Sequence, residues 1–177
     1  MRPGNGQTIV GETNINIPKY DPRLRIKSSF IVPRARIYKD AEAAILGADK
    51  IVIGPGDLYT SILPNIGVVG VKPAIRRSRA HVVYVCNIMT KAGETLGYKA
   101  SDFVRELEHY LGRGVVRTVV CNNQKPPAHL LKRYAAEGAE FVEPDLSGKR
   151  VRLADVLGGR DLARHDPDKT ARVLMSL

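Results

Sequence analysis

Tryptophan is absent from this chain, tyrosine and phenylalanine together make up only 6% of it, and cysteine occurs twice. So thin an aromatic supply leaves no base-stacking motif of the kind RNA-binding folds use, and neither zinc-finger spacing nor a clear helix-turn-helix takes its place. The two cysteines, Cys86 and Cys121, stand at the ends of apolar strand-like runs and not in a CxxC pair. They read as reduced, buried, small hydrophobic residues, which excludes a disulfide scaffold and a structural zinc site. No apolar run approaches the length of a membrane span, and the opening MRPGNGQTIVGE lacks the basic-then-apolar pattern of a signal peptide. A soluble, cytoplasmic protein is the expectation.

What is present suits a single globular domain: 177 residues, 44% of them hydrophobic, suffice for a real core. A net charge of +10 and a pI of about 9.8 call for an acidic partner or none. Nucleic acid, an anionic membrane and phosphorylated small molecules all qualify, while a solvated basic surface is the commonest explanation.

Strand-like and helix-like segments alternate along the chain. Thr8–Glu12 and Arg23–Ile31, joined by a polar, proline-bounded linker through Pro22, are expected to pair as an N-terminal β-hairpin arm over residues 1–37, with Arg23, Arg25 and Lys27 on one basic face. The remainder, 38–177, is expected to form a mostly parallel, Rossmann-like α/β sheet with helices on both faces. Helices are predicted from Asp40 to Ala48, with Ala41, Ala44 and Ile45 inward, around Pro73, from Ser101 or Asp102, from Pro127, and behind an Asp166 cap. Strands are predicted at Ile51–Ile53, Val82–Cys86, Val115–Cys121, Phe141–Val142 and Val151–Leu153. Ile51, Val52 and Ile53 form a continuous apolar run, the pattern of a strand buried on both faces.

The densest signal is KIVIGPGDLYTSILPN. Gly54, Pro55 and Gly56 supply a sharp turn after the strand, Asp57 reads as a helix N-cap, and Tyr59, Thr60 and Ser61 lie in the first helical turn. Strand, glycine turn and helix start together suggest an anion site, although a plain βα turn is the ordinary alternative. Asp57 opposes that reading, because a carboxylate beside a phosphate repels it unless a cation intervenes. Two further strand ends deliver Asn87 with Thr90, and Asn122 with Asn123; a carboxamide can read a base or sugar edge, and singly each is as readily an Asx turn. The loop from Thr90 to Lys99, carrying Glu94, reads as a lid or edge of the same cleft. An enzyme would use Glu94 or Asp57 as a general base or metal ligand. No second carboxylate stands at a diagnostic spacing, and the four histidines are scattered.

GPGDLYTSILPN and VYVCNIMTKAGETLGYKASDFV, followed by YAAEGAEFVEPD and RHDPDK, resemble the C-terminal half of the YvcK-like gluconeogenesis factor family, relatives of the CofD phospholactate transferases. The resemblance implies a Rossmann-like fold and a nucleotide-sugar ligand, UDP-N-acetylglucosamine above all, in a protein that supports cell-wall synthesis and cell shape during gluconeogenic growth. It places the Gly54–Gly56 turn, Asn87, Thr90, Tyr134 and Arg164 at or near that ligand, Tyr134 by stacking or hydrogen bonding and Arg164 by charge. It also shows departures. The family usually has serine where Asp57 stands and often threonine where Pro167 stands, and its glycine-rich first βα turn belongs to an N-terminal half outside this sequence. A homodimer or a separate N-terminal half is therefore an expected partner. The alternatives are a CofD-like 2-phospho-L-lactate transferase and, ranked lower, a nucleic-acid-binding module using the Arg23, Arg25 and Lys27 face.

Overall fold

The computed structural model describes residues 1–16, 20–21, 23–148, 150–159 and 161–177. At the N-terminus two short strands, Arg2–Pro3 (β1) and Ile26–Ser28 (β2), pair antiparallel, with a short helix, Glu12–Asn16 (α1), between them in sequence. The arm is thus present, but its first strand is not Thr8–Glu12. The reason is Met1: its side chain is buried with Ile15 and Ile26 in the main core, and its backbone exchanges hydrogen bonds with Ile9 at 3.0 and 2.9 Å. Glu12 is left to begin a helix. The basic face is dispersed as well, since Arg23 pairs with Asp21 at 2.9 Å and the Arg25 guanidinium lies over the Tyr98 ring, 5.5 Å from its centre. Part of the linker expected to end at Pro22 lies outside the described residues.

A helix, Lys39–Gly47 (α2), leads into four parallel strands: Lys50–Ile53 (β3), His81–Val85 (β4), Thr118–Asn122 (β5) and Val151–Ala154 (β6). They lie side by side in sequence order, with Lys50 opposite His81, Tyr84 opposite Val119 and Cys121 opposite Leu153. Alternation along the strands divides the core. Val82, Tyr84, Val119 and Cys121 pack with Phe103, Leu107 and Leu111 of the helix Ala100–Leu111; Val83, Val85 and Val120 pack on the other face with Val156, Val173 and Leu174. The sequence order leaves β3 at an edge. Val52 is accordingly 43% exposed, which overturns its expected burial on both faces. The same exposure extends to α2, where Ala41 and Ala44 face solvent, Ile45 is half-buried and no residue is fully buried.

Beyond β3 the chain turns through Gly54, whose φ of +81° belongs to the region glycine favours. A Cβ there would stand 2.8 Å from the Val85 carbonyl oxygen, so the turn lies flush against the end of β4. The carbonyl of Asp57 then accepts from both Ser61 N (2.9 Å) and Ile62 N (3.0 Å), opening the helix start into a π-turn over Leu58–Ile62. Pro64 sits in the first turn of the next helix, Leu63–Gly67 (α3), where its missing N–H costs nothing. Leu58, Tyr59, Ile62 and Leu63 are buried.

The helices Val71–Arg77 (α4), Ala100–Leu111 (α5), Ala128–Ala136 (α6) and Pro167–Met175 (α7) follow the predicted positions. Asp166 caps α7 as expected, accepting from Lys169 N at 2.8 Å. Asp102 reaches back to Lys99 N at 2.9 Å from the third position of α5, not from its cap. Phe141 forms a single bridge to Met89, and a two-residue hairpin, Leu157–Gly158 (β7) with Arg164–His165 (β8), precedes α7.

Replacing Gly54 by alanine forces a Cβ against the Val85 carbonyl in a left-handed backbone. The Gly54→Ala chain is expected to lose about 2 to 3 kcal/mol of stability, read as a fall in the urea midpoint at unchanged slope.

Candidate functional site

Beyond the carboxyl ends of β3 and β4 lies a cleft of about 670 Å³, within the size range of small-molecule sites. Its walls come from four segments: the Pro55–Asp57 turn, the run from Asn87 to Ala92 after β4, the end of α6 with Tyr134, and Ala163 to His165 of the last hairpin. Seven of the residues singled out from sequence meet here: Pro55, Gly56, Asp57, Asn87, Thr90, Tyr134 and Arg164. The Asn87 amide nitrogen donates to the Gly56 carbonyl at 3.0 Å and ties the turn to the end of β4. Thr90 is joined to the segment after α6, its hydroxyl accepting from Glu140 N at 2.8 Å and its own N–H donating to Glu140 O at 2.7 Å. Arg164 is exposed, and its guanidinium forms no ion pair with a described residue.

The electrostatic centre is Lys91, a residue the sequence reading passed over. Its ammonium pairs with Asp57 and, at 3.2 Å, with Glu94. Burial works against the lysine charge, but the Asp57 hydrogen bond and the fields of both carboxylates outweigh it and raise the lysine pKa above its ordinary value. Lys91 is the cation that Asp57 requires. The signal lay in the sequence: a lysine directly after Thr90, on the loop already assigned to the cleft edge.

Glu94 does something different from what the loop suggested. It is buried, accepting from Tyr59 N at 3.2 Å and from the Thr60 hydroxyl at 3.2 Å, so one N–H and one hydroxyl at the helix start are occupied by the protein's own carboxylate. The glycine turn therefore offers an external anion less than expected; the cations of the cleft are Lys91 and Arg164. The loop itself is packed, with Glu94, Thr95 and Tyr98 buried, and forms an edge of the cleft instead of an open lid. Desolvation lifts the Glu94 pKa above the usual carboxylate range, partly offset by Lys91. Among the described residues no cluster of three or more histidine, cysteine or carboxylate side chains is arranged to hold a metal ion.

The remaining predicted residues stand outside the cleft lining. Gly54 is pressed against β4; Tyr59 is buried, its hydroxyl 3.0 Å from that of Tyr98; Ser61 faces a groove along the β3 edge. Asn122 is buried and closes its own loop, donating to Gln124 O at 2.6 Å and accepting from Val156 N at 3.3 Å, while Asn123 is exposed and bonds through its backbone to Ala154. His165, by contrast, does line the cleft. Its Nε2 lies 3.0 Å from the Cys86 carbonyl oxygen, latching the last hairpin to the end of β4, and burial lowers its pKa despite that bond.

The model of the family of 2-phospho-L-lactate transferase CofD matches residues 2–159. This chain belongs to the CofD family. A Thermotoga maritima homologue is 39% identical over 96% of this chain and 55% of its own length. A Bacillus subtilis protein named gluconeogenesis factor is 35% identical over 98% of this chain and 56% of its own length. The solved structure of a UPF0052 family member from Bacillus halodurans superposes with a TM-score of 0.90 at 33% identity, covering 98% of this chain and 57% of that one. Within the CofD family, then, this chain spans about half the length of the relatives it matches.

Because the folded-state pKa of Glu94 is raised, the folded protein binds a proton that the unfolded chain releases, so stability falls as pH rises from the ordinary glutamate range through the raised value. Thermal melts across that window should show the Glu94→Gln chain losing this slope. Equal slopes in the two chains would mean that Glu94 titrates normally.

Proposed function

We propose that the cleft binds a nucleotide sugar, with UDP-N-acetylglucosamine the favoured ligand, and that the protein acts as a regulator supporting cell-wall synthesis and cell shape during gluconeogenic growth. The observation that carries this reading is the convergence of Lys91, Arg164, Tyr134 and Asn87 on one cleft of nucleotide-sugar size. A diphosphate suits the two cations, arginine offering a forked donor and lysine a point charge. The Tyr134 ring offers a face for a base or sugar, and the Asn87 carboxamide is already oriented by Gly56.

The sheet supports a partner for this site. Ligand crevices in open parallel sheets form where strand order reverses, and the order here, β3 to β6 in sequence, contains no reversal. The cleft instead lies beside the free edge of β3, next to a groove of about 360 Å³ lined by Ile45, Val52, Ile53 and Ile66. An added strand at this edge would create the reversal beside the Gly54–Gly56 turn. The further length that the relatives carry is the favoured source of that strand, and a second copy of this chain is the alternative.

The family model's own name favours a second reading, transfer of a phosphorylated group from a nucleotide carrier. Formation of a phospholactate-type product from such a donor would establish it.

Titration of this chain with UDP-N-acetylglucosamine is expected to give binding weaker than about 1 μM, tightening when the chain is joined to the remaining segment of a relative. In the joined form Arg164→Ala should weaken binding by about 1.5 to 3 kcal/mol, the scale of a charge-assisted hydrogen bond. Unchanged affinity would remove Arg164 from the site.

A further inference from the structure

The rim opposite the cleft, where the parallel strands begin, is predominantly basic. β4 and β5 are parallel neighbours, so the segments feeding them, from Arg76 to Ala80 and from Gly112 to Arg117, emerge at the same end of the sheet. Two contacts bind these segments together. Arg117 N donates to the Val82 carbonyl at 2.8 Å, and the Arg76 guanidinium reaches the Leu111 carbonyl at 3.5 Å. Arg76, Arg79, Arg113 and Arg117 are all exposed, and none forms an ion pair or a ring contact with a described residue. The carboxylates that would neutralise them are engaged elsewhere: Glu42 pairs with Arg77, and Glu108 pairs with Arg150 while accepting from Gly114 N at 3.0 Å. Asp49, whose carbonyl accepts from His81 N at 2.8 Å, is the one exposed acidic side chain at the start of β3, next to this rim.

Four unpaired guanidinium groups brought together at one end of a sheet repel one another in the free protein, and a polyanion relieves that repulsion by releasing its counterions. We infer that this rim is a docking surface for the phosphate backbone of duplex nucleic acid, bound without regard to sequence. The side chains choose the class of partner. Proteins that hold single strands interleave cations with aromatic stacking platforms, and neither the Arg76–Ala80 nor the Gly112–Arg117 segment contains an aromatic residue. Exposed guanidinium forks, that of Arg76 anchored at the Leu111 carbonyl, match phosphate oxygens spaced along a regular duplex. The surface differs from the Arg23, Arg25 and Lys27 face, where Arg23 is taken up by Asp21 and Arg25 by the Tyr98 ring, and it is independent of the nucleotide-sugar reading.

Fluorescence anisotropy with a labelled duplex of about 20 base pairs, at about 50 to 200 mM salt, tests the inference. The chain as it stands should bind at the low-salt end, with a slope of log affinity against log salt of about −3 to −4, the value for four phosphates neutralised. The Arg113→Gln/Arg117→Gln double variant should bind at least about tenfold more weakly with the slope reduced by about two, at an unchanged melting temperature, while Arg23→Gln changes neither. Absence of duplex binding at low salt overturns the inference. So does loss on changing Arg23 but not Arg113 and Arg117, or a preference for poly-glutamate over duplex, which would make the surface a protein-binding one.

Discussion

The ammonium of Lys91, held between the carboxylates of Asp57 and Glu94, is the interaction on which the cleft depends. Asp57 belongs to the turn after β3, and Lys91 and Glu94 to the loop after β4, so one cation joins the two segments that define the cleft floor. Removing the lysine would leave two carboxylates facing each other, one of them buried, a condition that is costly inside a protein. The same triad explains how an acidic residue is tolerated in a turn read as an anion site. The helix start does attract an anion, and the anion is Glu94.

The sheet places these groups by simple means. Parallel strands in sequence order bring their carboxyl ends to one rim, and the glycine turn is brought against the Val85 carbonyl because no Cβ intervenes. Everything that lines the cleft therefore descends from a strand end or from an element latched to one. The apolar character of β3 and the exposure of Val52 belong to the same geometry: a strand whose sequence is suited to the interior of a sheet stands at its edge. Apolar edge strands invite pairing.

Much of this was legible in the sequence. Short apolar runs bounded by glycine or asparagine located β3, β4 and β5, and amphipathic spacing located α5 and α7, because each signal is local. Long-range competition hid the rest. The pairing of Arg2–Pro3 with Ile26–Ser28 depends on Met1 entering a core assembled from distant residues, and the edge position of β3 depends on strand order, which periodicity does not encode. Asn87, Thr90, Tyr134 and Arg164 lie around one cleft, whereas Asn122 turns inward to serve Gln124 and Val156. Lys91 was missed because its role is fixed by two partners, one of them far away in sequence.

The His165 latch carries a consequence for how the cleft comes into being. Every other wall segment precedes β8 in the chain, so without the last hairpin the cleft is a three-sided trough that holds Lys91 but lacks the exposed guanidinium of Arg164. Arg164 joins the wall where His165 meets the Cys86 carbonyl. A chain cut before that hairpin would also lose α7, whose Val173 and Leu174 cover one face of the sheet, so the segment that closes the cleft also closes the core.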